Sequence, residues 1–534
     1  MNFLRPLRVT RHAVLVSAAV SASSVSSAVK LQAQSIPTPA AMSTIREADL
    51  KRDLFAMAGD GMRGREAGTL DEMRASMWVA DQYRSIGLAP MGEDGTYFQW
   101  FNMRRTRVST VSSSLRIGGK EFEIWKDFTP TSNTAADVTG ETIWLGDDRD
   151  STVDVRGRVA VVNLHPTSEG TRTTVNTPEY RAVRQGLSVQ GAALTRRGAA
   201  AVIIVADQLG EQMFDAVAKL QSRGGYTVIG GANRFAPAGG RGGAGGRGGA
   251  GAGGRGGAGG RGQAAPRPVP ILLVHRSAAD QLRNDGQGVE VRIASESFDT
   301  PSVNIIGMVR GTDAKLRDEY VVFSSHQDHD GVRFDVNGDS IWNGADDNAS
   351  TSVALLAIAR AWVKQPSRRS ALFIFHGAEE RGLLGSLWHA AHPVVPLEKM
   401  AAVLNGDMIG RNHPDTASIL GVQPPHRNSS TLVEMALEAN RRTGKFVIDS
   451  TWDRPSHPEG WYFRSDHVPY ARLNVPALMY STNLHDDYHT PRDNPDRIDY
   501  AKLTRMTQWM YLTGWFVGNA KDKPGIDPGF RLER

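Results

Sequence analysis

Acidic and histidine side chains follow several apolar segments in the C-terminal half of this 534-residue chain. The stretch ALFIFHGAEERGLLGS places two adjacent glutamates after a strand-like run, and similar polar clusters occur in SSHQDHDG, NGADDNAS, LNGDMIG and HDDYHTPRD. Because ligands of open α/β sheets collect at the carboxyl ends of the strands, we expect these side chains to converge. Buried carboxylates that converge need a compensating cation, so the pattern favours a metal site.

The donor set indicates which metal would bind. Imidazoles and carboxylates are present and the chain contains no cysteine, a combination of ligands that suits zinc. The candidates outnumber the ligands of one ion, which favours two ions about 3.5–4 Å apart with a shared carboxylate. Taken singly, the acid pairs Asp346–Asp347 and Glu379–Glu380 fit a helix start better than a metal site, because acidic residues are common there. Only the set as a whole predicts a metal centre.

The segments that carry these residues alternate between strands and helices from Pro301 onward. Continuous apolar runs such as YVVFSSH and ALFIFHG are separated by amphipathic segments such as SVALLAIARAWVKQ. This alternation is typical of a mainly parallel sheet covered on both faces. We therefore predict an α/β fold with three α-β-α layers around a mixed, mainly parallel sheet. Upstream, IREADLKRDLFAMAG and TLDEMRASMWVADQYRSIGL predict two helices, the second ending at Gly87.

A change in the sequence pattern between the two N-terminal helices and the region from Pro301 predicts an inserted module. Short apolar runs, namely ETIWLG, RVAVVNL, AAAVIIVAD and VPILLVHRSAADQL, predict a β-rich unit. Within it, residues 239–263 are almost entirely Gly, Arg and Ala, cannot bury apolar surface, and predict a flexible loop. The predicted division of the chain is a leader over 1–33, the first part of the core over 34–133, the insert over 134–297 and the catalytic core over 298–534.

The first 33 residues have the pattern of a secretory signal peptide. Three arginines precede a moderately apolar run from Ala13 to Val29, and Leu31-Gln32-Ala33 fits a cleavage site. The run contains six serines and falls short of the roughly 20 apolar residues of a spanning helix. We expect secretion to the periplasm or the medium after cleavage near Ala33, and no stable membrane association.

The formal net charge of +5 is concentrated in two places. The predicted leader holds four cationic residues and no acid, so the remaining chain carries +1. The glycine tract holds four further arginines, and without them the net charge is −3. The tract also contains no aromatic residue on which a base could stack. We therefore predict no nucleic-acid partner.

Five motifs, in order along the chain, resemble those of a known family. HQDHDG, GADDNAS, GAEERGLLGS, GDMIG and YHTPRDNPD are similar to the metal and base motifs of the co-catalytic di-zinc exopeptidases, which include secreted bacterial aminopeptidases and the glutamate carboxypeptidase II group. The resemblance covers roughly the mature chain and is specific as an ordered set. It implies a zinc metallopeptidase with two Zn²⁺ ions per chain that acts on peptides, most simply as an aminopeptidase. On looser patterns, the insert resembles a protease-associated domain.

The resemblance also implies roles for individual residues. Five would bind metal: His326 and Asp407 one zinc, Glu380 and His489 the other, and Asp347 both. Glu379 would be the general base, and Asp328 would orient the first histidine. Tyr488 would donate a hydrogen bond to the developing oxyanion, although its position fits a packing tyrosine equally well. The peptide bond that follows Asp347 would be cis.

Two alternatives stay open at this level. A carboxypeptidase acting on acidic dipeptides would need basic groups near the pocket, for which Arg464, Arg472 and Arg492 are candidates. A non-catalytic receptor on the same fold would be expected to lack metal ligands, whereas all five are present here. The side-chain preference, the oligomeric state and the use of the glycine tract are not encoded in these motifs.

Overall fold

The computed structural model describes residues 35–165, 178–230 and 268–533. The predicted leader and the glycine tract lie outside these residues. Within them, none of the helices combines the length and the apolar character needed to cross a membrane. The α-helices, numbered along the chain, are α1 Glu47–Met57, α2 Leu70–Ile86, α3 Pro178–Arg196, α4 Gln208–Arg223, α5 Ala279–Leu282, α6 Thr351–Lys364, α7 Leu384–Ala391, α8 Ser430–Arg442, α9 His467–Arg472 and α10 Tyr500–Asn519.

The strands form two large sheets and one hairpin. They are β1 Ala89–Pro90, β2 Phe98–Val108, β3 Ser114–Ile117, β4 Lys120–Phe122, β5 Phe128–Pro130, β6 Ala136–Gly146, β7 Val159–Asn163, β8 Ala201–Val205, β9 Gly225–Val228, β10 Ile271–Val274, β11 Gly288–Ile293, β12 Ser295–Val309, β13 Tyr320–His326, β14 Gly331–Val336, β15 Asp339–Trp342, β16 Ser370–His376, β17 Met400–Gly406, β18 Thr416–Leu420, β19 Val447–Ile448 and β20 Ala477–Ser481.

The larger sheet has the order β19-β18-β20-β17-β13-β16-β12-β2-β9, with β1 on β12. Its centre is parallel, because β13 pairs in parallel with both β16 and β17, and β17 with β20. On one side β12 and β2 are antiparallel to their neighbours, and on the other β18 is antiparallel to β20 and parallel to the edge strand β19. The predicted α/β class with a mixed sheet is confirmed, and its parallel centre is the part that leads into the acidic motifs.

Both faces of the parallel strands are buried, which explains their uninterrupted apolar sequences. Val321 and Phe323 of β13 point into the largest core cluster, which includes residues of α1, α2, α6, α8 and α10. Val322, one residue between them, belongs to a second cluster that α7 and α9 help to cover. Successive residues of a strand face opposite sides, so the two clusters are the two faces of one sheet. The predicted three-layer arrangement follows.

The second sheet belongs to the inserted region and has the order β4-β3-β11-β6-β7-β8-β10-β5. Its central strands β7, β8 and β10 are parallel, and α3 and α4 cover one face through Leu187, Phe214 and Val217. These two helices were not identified in the sequence, where the short apolar strands are more conspicuous. Strands β3 to β5 precede residue 134, and the domain limits given above stay a prediction.

The inserted region is also joined to the larger sheet. Strand β9 follows α4 directly and pairs antiparallel with β2, with Thr106 opposite Gly225 and Met103 opposite Val228. The turn between α4 and β9 is tight, because a Cβ atom on Gly224, whose φ is +78°, would lie 2.1 Å from the carbonyl oxygen of Thr106. The end of α4 is therefore held beside the sheet that carries the acidic motifs.

Helix α10 packs closely on strand β13, and this contact is open to a direct test. A Cβ atom on Gly514 would lie 2.2 Å from Cζ of Phe323. We expect Gly514→Ala to lower the free energy of unfolding by about 1–3 kcal/mol, because overpacked cores must shift. Gly525→Ala is the matched control, since nothing lies within 4 Å of a Cβ atom there. Equal thermal unfolding midpoints for the two variants would contradict the close packing.

Candidate metal centre

The carboxyl ends of three adjacent parallel strands bring the predicted site residues together. His326 is the last residue of β13, and Asp407 follows the last residue of β17. Glu379 and Glu380 come three and four residues after the end of β16, whose His376 lies opposite His326. Since the strands are parallel and in register, these side chains reach the same edge of the sheet.

Asp347 enters the site from a helical turn, Ala345–Ser350, that precedes α6. The turn begins after Gly344, whose φ is +57° and where a Cβ atom would lie 2.2 Å from the Asp347 carbonyl oxygen. The peptide bond between Asp347 and Asn348 is cis, as the resemblance predicts. Asp493 fixes the turn, because its carboxylate accepts hydrogen bonds from the backbone N–H groups of Asp346 and Asp347.

The carboxylate of Asp347 lies between the two predicted ligand sets. Its Oδ1 is 3.3 Å from Nε2 of His326, and its Oδ2 is 3.0 Å from Nε2 of His489. His489 Nε2 is also 3.1 Å from Oε1 of Glu380, and His326 Nε2 is 3.9 Å from Oδ1 of Asp407. The two oxygens of one carboxylate thus face two separate groups of donors, which is the arrangement that a bridging ligand requires.

The donor atoms suit a bound cation. Ligand atoms of His329, Asp347, Glu380 and His489 lie within 4.8 Å of one another, and so do those of His326, Glu379 and Asp407. Among the described residues, Nε2 of His326 and Nε2 of His329 are buried and have no hydrogen-bond partner. Buried polar atoms are normally paired. Unpaired imidazole nitrogens that converge with carboxylate oxygens fit zinc.

The adjacent glutamates have opposite electrostatic environments. Burial raises the pKa of Glu379 well above its usual range, although His326 opposes the shift. Burial also raises the pKa of Glu380, but His489 and His329 outweigh it and hold that pKa well below the usual range. The second glutamate is therefore held ionised among imidazoles. The first is the glutamate whose ionised form burial disfavours.

Asp328 lies beneath this turn and contacts both glutamates through their backbone. Its Oδ1 accepts a hydrogen bond of 2.9 Å from the N–H of Glu379, and its Oδ2 one of 3.3 Å from the N–H of Glu380. Its carboxylate is 3.8 Å from Nδ1 of His326, whereas its carbonyl oxygen is 3.0 Å from that nitrogen. Asp328 thus contacts His326 mainly through its backbone, and its carboxylate fixes the position of the glutamates.

Tyr488 lies next to the second group of donors. Its ring packs against that of His489 with 3.9 Å between the centroids. Its hydroxyl oxygen accepts a hydrogen bond of 2.9 Å from Arg464, which also pairs with Glu459 at 3.0 Å. The phenol proton is left to donate to a further acceptor. The position therefore allows the predicted hydrogen bond to an oxyanion.

Two residues of the HQDHDG motif were missed in the sequence analysis. His329 is buried, and its Nδ1 lies 2.8 Å from Oε1 of Glu380. Asp330 is buried too, and its Oδ2 lies 3.2 Å from Nδ1 of His489. His329 and Asp330 directly follow Asp328 in the sequence. The available signal was this second histidine followed by an acid in the same motif. Their contacts depend on the loop after β13, which the motif spacing does not determine.

Arg65 supports the loops that carry the site. It is fully buried and donates hydrogen bonds to four carbonyl oxygens: those of Gln327, Met57, Asn343 and Gly344, at 2.7–3.0 Å. Burial lowers its pKa to about 10, and the nearby carboxylates of Asp328, Asp493, Asp347 and Glu380 oppose that shift. One guanidinium therefore joins the loop after β13 to the turn before Asp347.

Comparisons with known proteins were made for sequence and for structure. Residues 304–513 match the family model described as Peptidase family M28. Aminopeptidase YwaD of Bacillus subtilis is 30% identical over 209 residues, which cover 38% of this chain and 42% of that protein. The match thus spans less than half the length of this curated relative.

Two solved structures are similar over most of this chain. One is an aminopeptidase from Aneurinibacillus sp. strain AM-1, with a TM-score of 0.51, 17% identity and coverage of 91% of this chain and 97% of that one. The other is BSAP, a zinc aminopeptidase from Bacillus subtilis, with a TM-score of 0.53, 17% identity and coverage of 91% and 98%. At this identity the similarity establishes a common fold.

The role of Arg65 leads to a stability prediction. We expect Arg65→Lys to lower the free energy of unfolding by on the order of 3 kcal/mol, because an ammonium cannot reproduce the fork of a guanidinium and leaves buried carbonyls unpaired. Chemical unfolding monitored by circular dichroism measures this change. Arg63→Lys is the control, since that side chain is half exposed and its contact with Asp71 is 3.4 Å long. A loss no larger than the control's would refute the supporting role.

Proposed function

We propose that this chain, whose residues 304–513 match the model of peptidase family M28, is a secreted aminopeptidase that uses two zinc ions and a glutamate base. The observation that carries the proposal is the position of Asp347, whose two oxygens face His326 on one side and His489 on the other. A single carboxylate between two sets of nitrogen and oxygen donors is what a pair of ions needs.

The ligand sets divide naturally around that carboxylate. His326 and Asp407 would hold one zinc, and Glu380 and His489 the other, with Asp347 shared. When bound, the ions would lower the pKa of a water molecule between them and polarise the scissile carbonyl. The tautomer of a ligating histidine is set by what its second ring nitrogen contacts, and both His326 and His489 present Nε2 towards Asp347.

Glu379 would move the proton in this reaction. Its carboxylate lies 3.8 Å from Nε2 of His326, on the same side as the first ligand set. It would accept a proton from the attacking water and deliver it to the leaving amine. Tyr488, with its oxygen already accepting from Arg464, would donate a hydrogen bond to the oxyanion that forms at the carbonyl.

The charge balance supports recognition of an amino terminus. Four carboxylates line the site: Asp347, Glu379, Glu380 and Asp407. This acidic lining favours a substrate ammonium over a substrate carboxylate. An acidic C-terminus would instead need free cations, and two of the candidate arginines are already paired, Arg464 with Glu459 and Arg492 with Asp487. These pairs argue against the carboxypeptidase alternative.

Two further parts of the proposal rest on the sequence. Export after cleavage near Ala33 is supported by the pattern of the first 33 residues, which lie outside the described structure. The assignment of the insert as a protease-associated domain is supported by loose sequence patterns. The position of the inserted region beside the candidate metal centre, where Arg223 contacts Asp330, supports the same assignment.

The adjacent glutamates provide a matched pair of variants. We expect Glu379→Gln to retain two zinc equivalents and to lose about 100- to 10,000-fold in kcat, because the proton acceptor is gone. Glu380→Gln should instead bind less zinc, because a ligand is weakened. Metal analysis and steady-state kinetics on both proteins separate these outcomes. A fully active Glu379→Gln protein would exclude this residue as the base.

The end of the peptide that is recognised is tested with blocked substrates. We expect hydrolysis of a leucyl arylamide, no hydrolysis of its N-acetylated form, and no release of glutamate from an N-acetylated acidic dipeptide. A chelator should abolish the activity, and added Zn²⁺ should restore it. Cleavage of the acetylated dipeptide in preference to the free arylamide would support the carboxypeptidase alternative instead.

A further inference from the structure

Asp330 is a buried acid that lies just outside the candidate metal ligands and is surrounded by arginines. It is 0% exposed. Arg333 forms a close ion pair with it, and Arg381 and Arg223 approach its Oδ1 at 3.8 and 3.9 Å. An ionised carboxylate without such partners would be costly to bury. The three guanidinium groups therefore surround one carboxylate oxygen of Asp330, and we call this group the arginine cage.

The other oxygen of Asp330 faces a candidate zinc ligand. Oδ2 is 3.2 Å from Nδ1 of His489, while Nε2 of the same ring is 3.0 Å from Asp347 and 3.1 Å from Glu380. A carboxylate on one imidazole nitrogen keeps the proton there and leaves the opposite nitrogen free to bind a cation. The corresponding distance from Asp328 to His326 is 3.8 Å, so Asp330 makes the closer of the two acid–histidine contacts.

We propose that Asp330 is the positioning residue that fixes the orientation and tautomer of His489, and that Arg223 of the inserted region holds Asp330 in place. This inference rests on the proposed function, because it assumes that His489 binds zinc. Its consequence is that the insert supports one zinc ligand indirectly, through the contacts of Arg223 with Asp330 and of Asp330 with His489.

The position of Arg223 supports the second half of the proposal. It is the last residue of α4, and its side chain is 14% exposed. Nη2 donates a hydrogen bond of 2.7 Å to the carbonyl oxygen of Asp330 and one of 3.1 Å to Oε2 of Glu66. Glu66 in turn lies 3.4 Å from Arg381 of the cage. Arg223 therefore contacts the backbone of Asp330 and also Glu66, the acid that pairs with Arg381 of the cage.

A purely structural role for Asp330 makes a different prediction. If it only neutralised the arginine cage, its removal would destabilise the whole region and weaken both zinc sites together. The proposed role concerns His489 alone, so removal of the charge should weaken one zinc equivalent and leave the site of His326 and Asp407 intact. The split between the two equivalents therefore distinguishes the roles.

The test is a Zn²⁺ titration of the metal-free, full-length protein by competition with a chromophoric chelator, with the thermal unfolding midpoint measured in parallel. For Asp330→Asn we expect one equivalent with unchanged affinity and one weakened about 10- to 100-fold, the usual range for loss of such a partner. Asp335→Asn is the control, because this exposed acid in the β14–β15 hairpin lies in the same segment of the chain. It should titrate as the wild type does.

A second variant keeps the proposal testable if Asp330→Asn does not fold. Arg223→Gln should weaken the same single equivalent by a smaller factor, and Arg196→Gln, at the corresponding last position of α3, should not. The proposal would be overturned if both zinc equivalents bound with unchanged affinity in a folded Asp330→Asn protein. The same result in Arg223→Gln would overturn it if only that variant folds. Equal weakening of both equivalents would also overturn it. A wild-type protein that binds no zinc would instead refute the proposed function.

Discussion

Mutual repulsion between buried carboxylates is the constraint on which this site depends. Asp347, Glu379, Glu380 and Asp407 reach one edge of a sheet, where almost no solvent is available to screen them. Histidines relieve part of the repulsion, and converging donor atoms without hydrogen-bond partners indicate that a cation supplies the rest. The surrounding structure can be understood as a rigid support for this arrangement.

That support consists of charged groups that bind the backbone. Arg65 donates only to carbonyl oxygens, Asp328 accepts from the N–H groups of both glutamates, and Asp493 accepts from those of the turn at Asp347. Each of these three charged side chains fixes a loop and is not itself a candidate metal ligand. Because the interior is tightly packed, small displacements of the loops would be transmitted to the donor atoms. The donor positions are thus set by groups at the base of the loops.

The convergence of the site residues at one edge of the sheet could be predicted from the sequence. The apolar strands β13, β16 and β17 end at polar motifs, so the convergence of His326, Glu379 and Asp407 follows from the rule for parallel sheets. The contact between Arg223 and Asp330 could not be predicted, because it joins segments more than a hundred residues apart through the antiparallel pairing of β9 with β2. Periodicity indicates which residues are buried in an element and does not indicate which distant element covers it. Helices α3 and α4 were missed for a related reason, since their neighbours in the sequence have the stronger apolar signal.

The inserted region is therefore more than an attachment to the catalytic core. Its strand β9 extends the larger sheet, and its helix α4 delivers an arginine to the vicinity of the candidate metal ligands. The most direct test of the account is the unfolding midpoint of the metal-free protein as Zn²⁺ is added. If cations relieve the repulsion among the carboxylates, the midpoint rises and the increase saturates at two equivalents per chain, because a ligand that binds only the folded state stabilises it. A midpoint that does not respond to zinc would contradict the account.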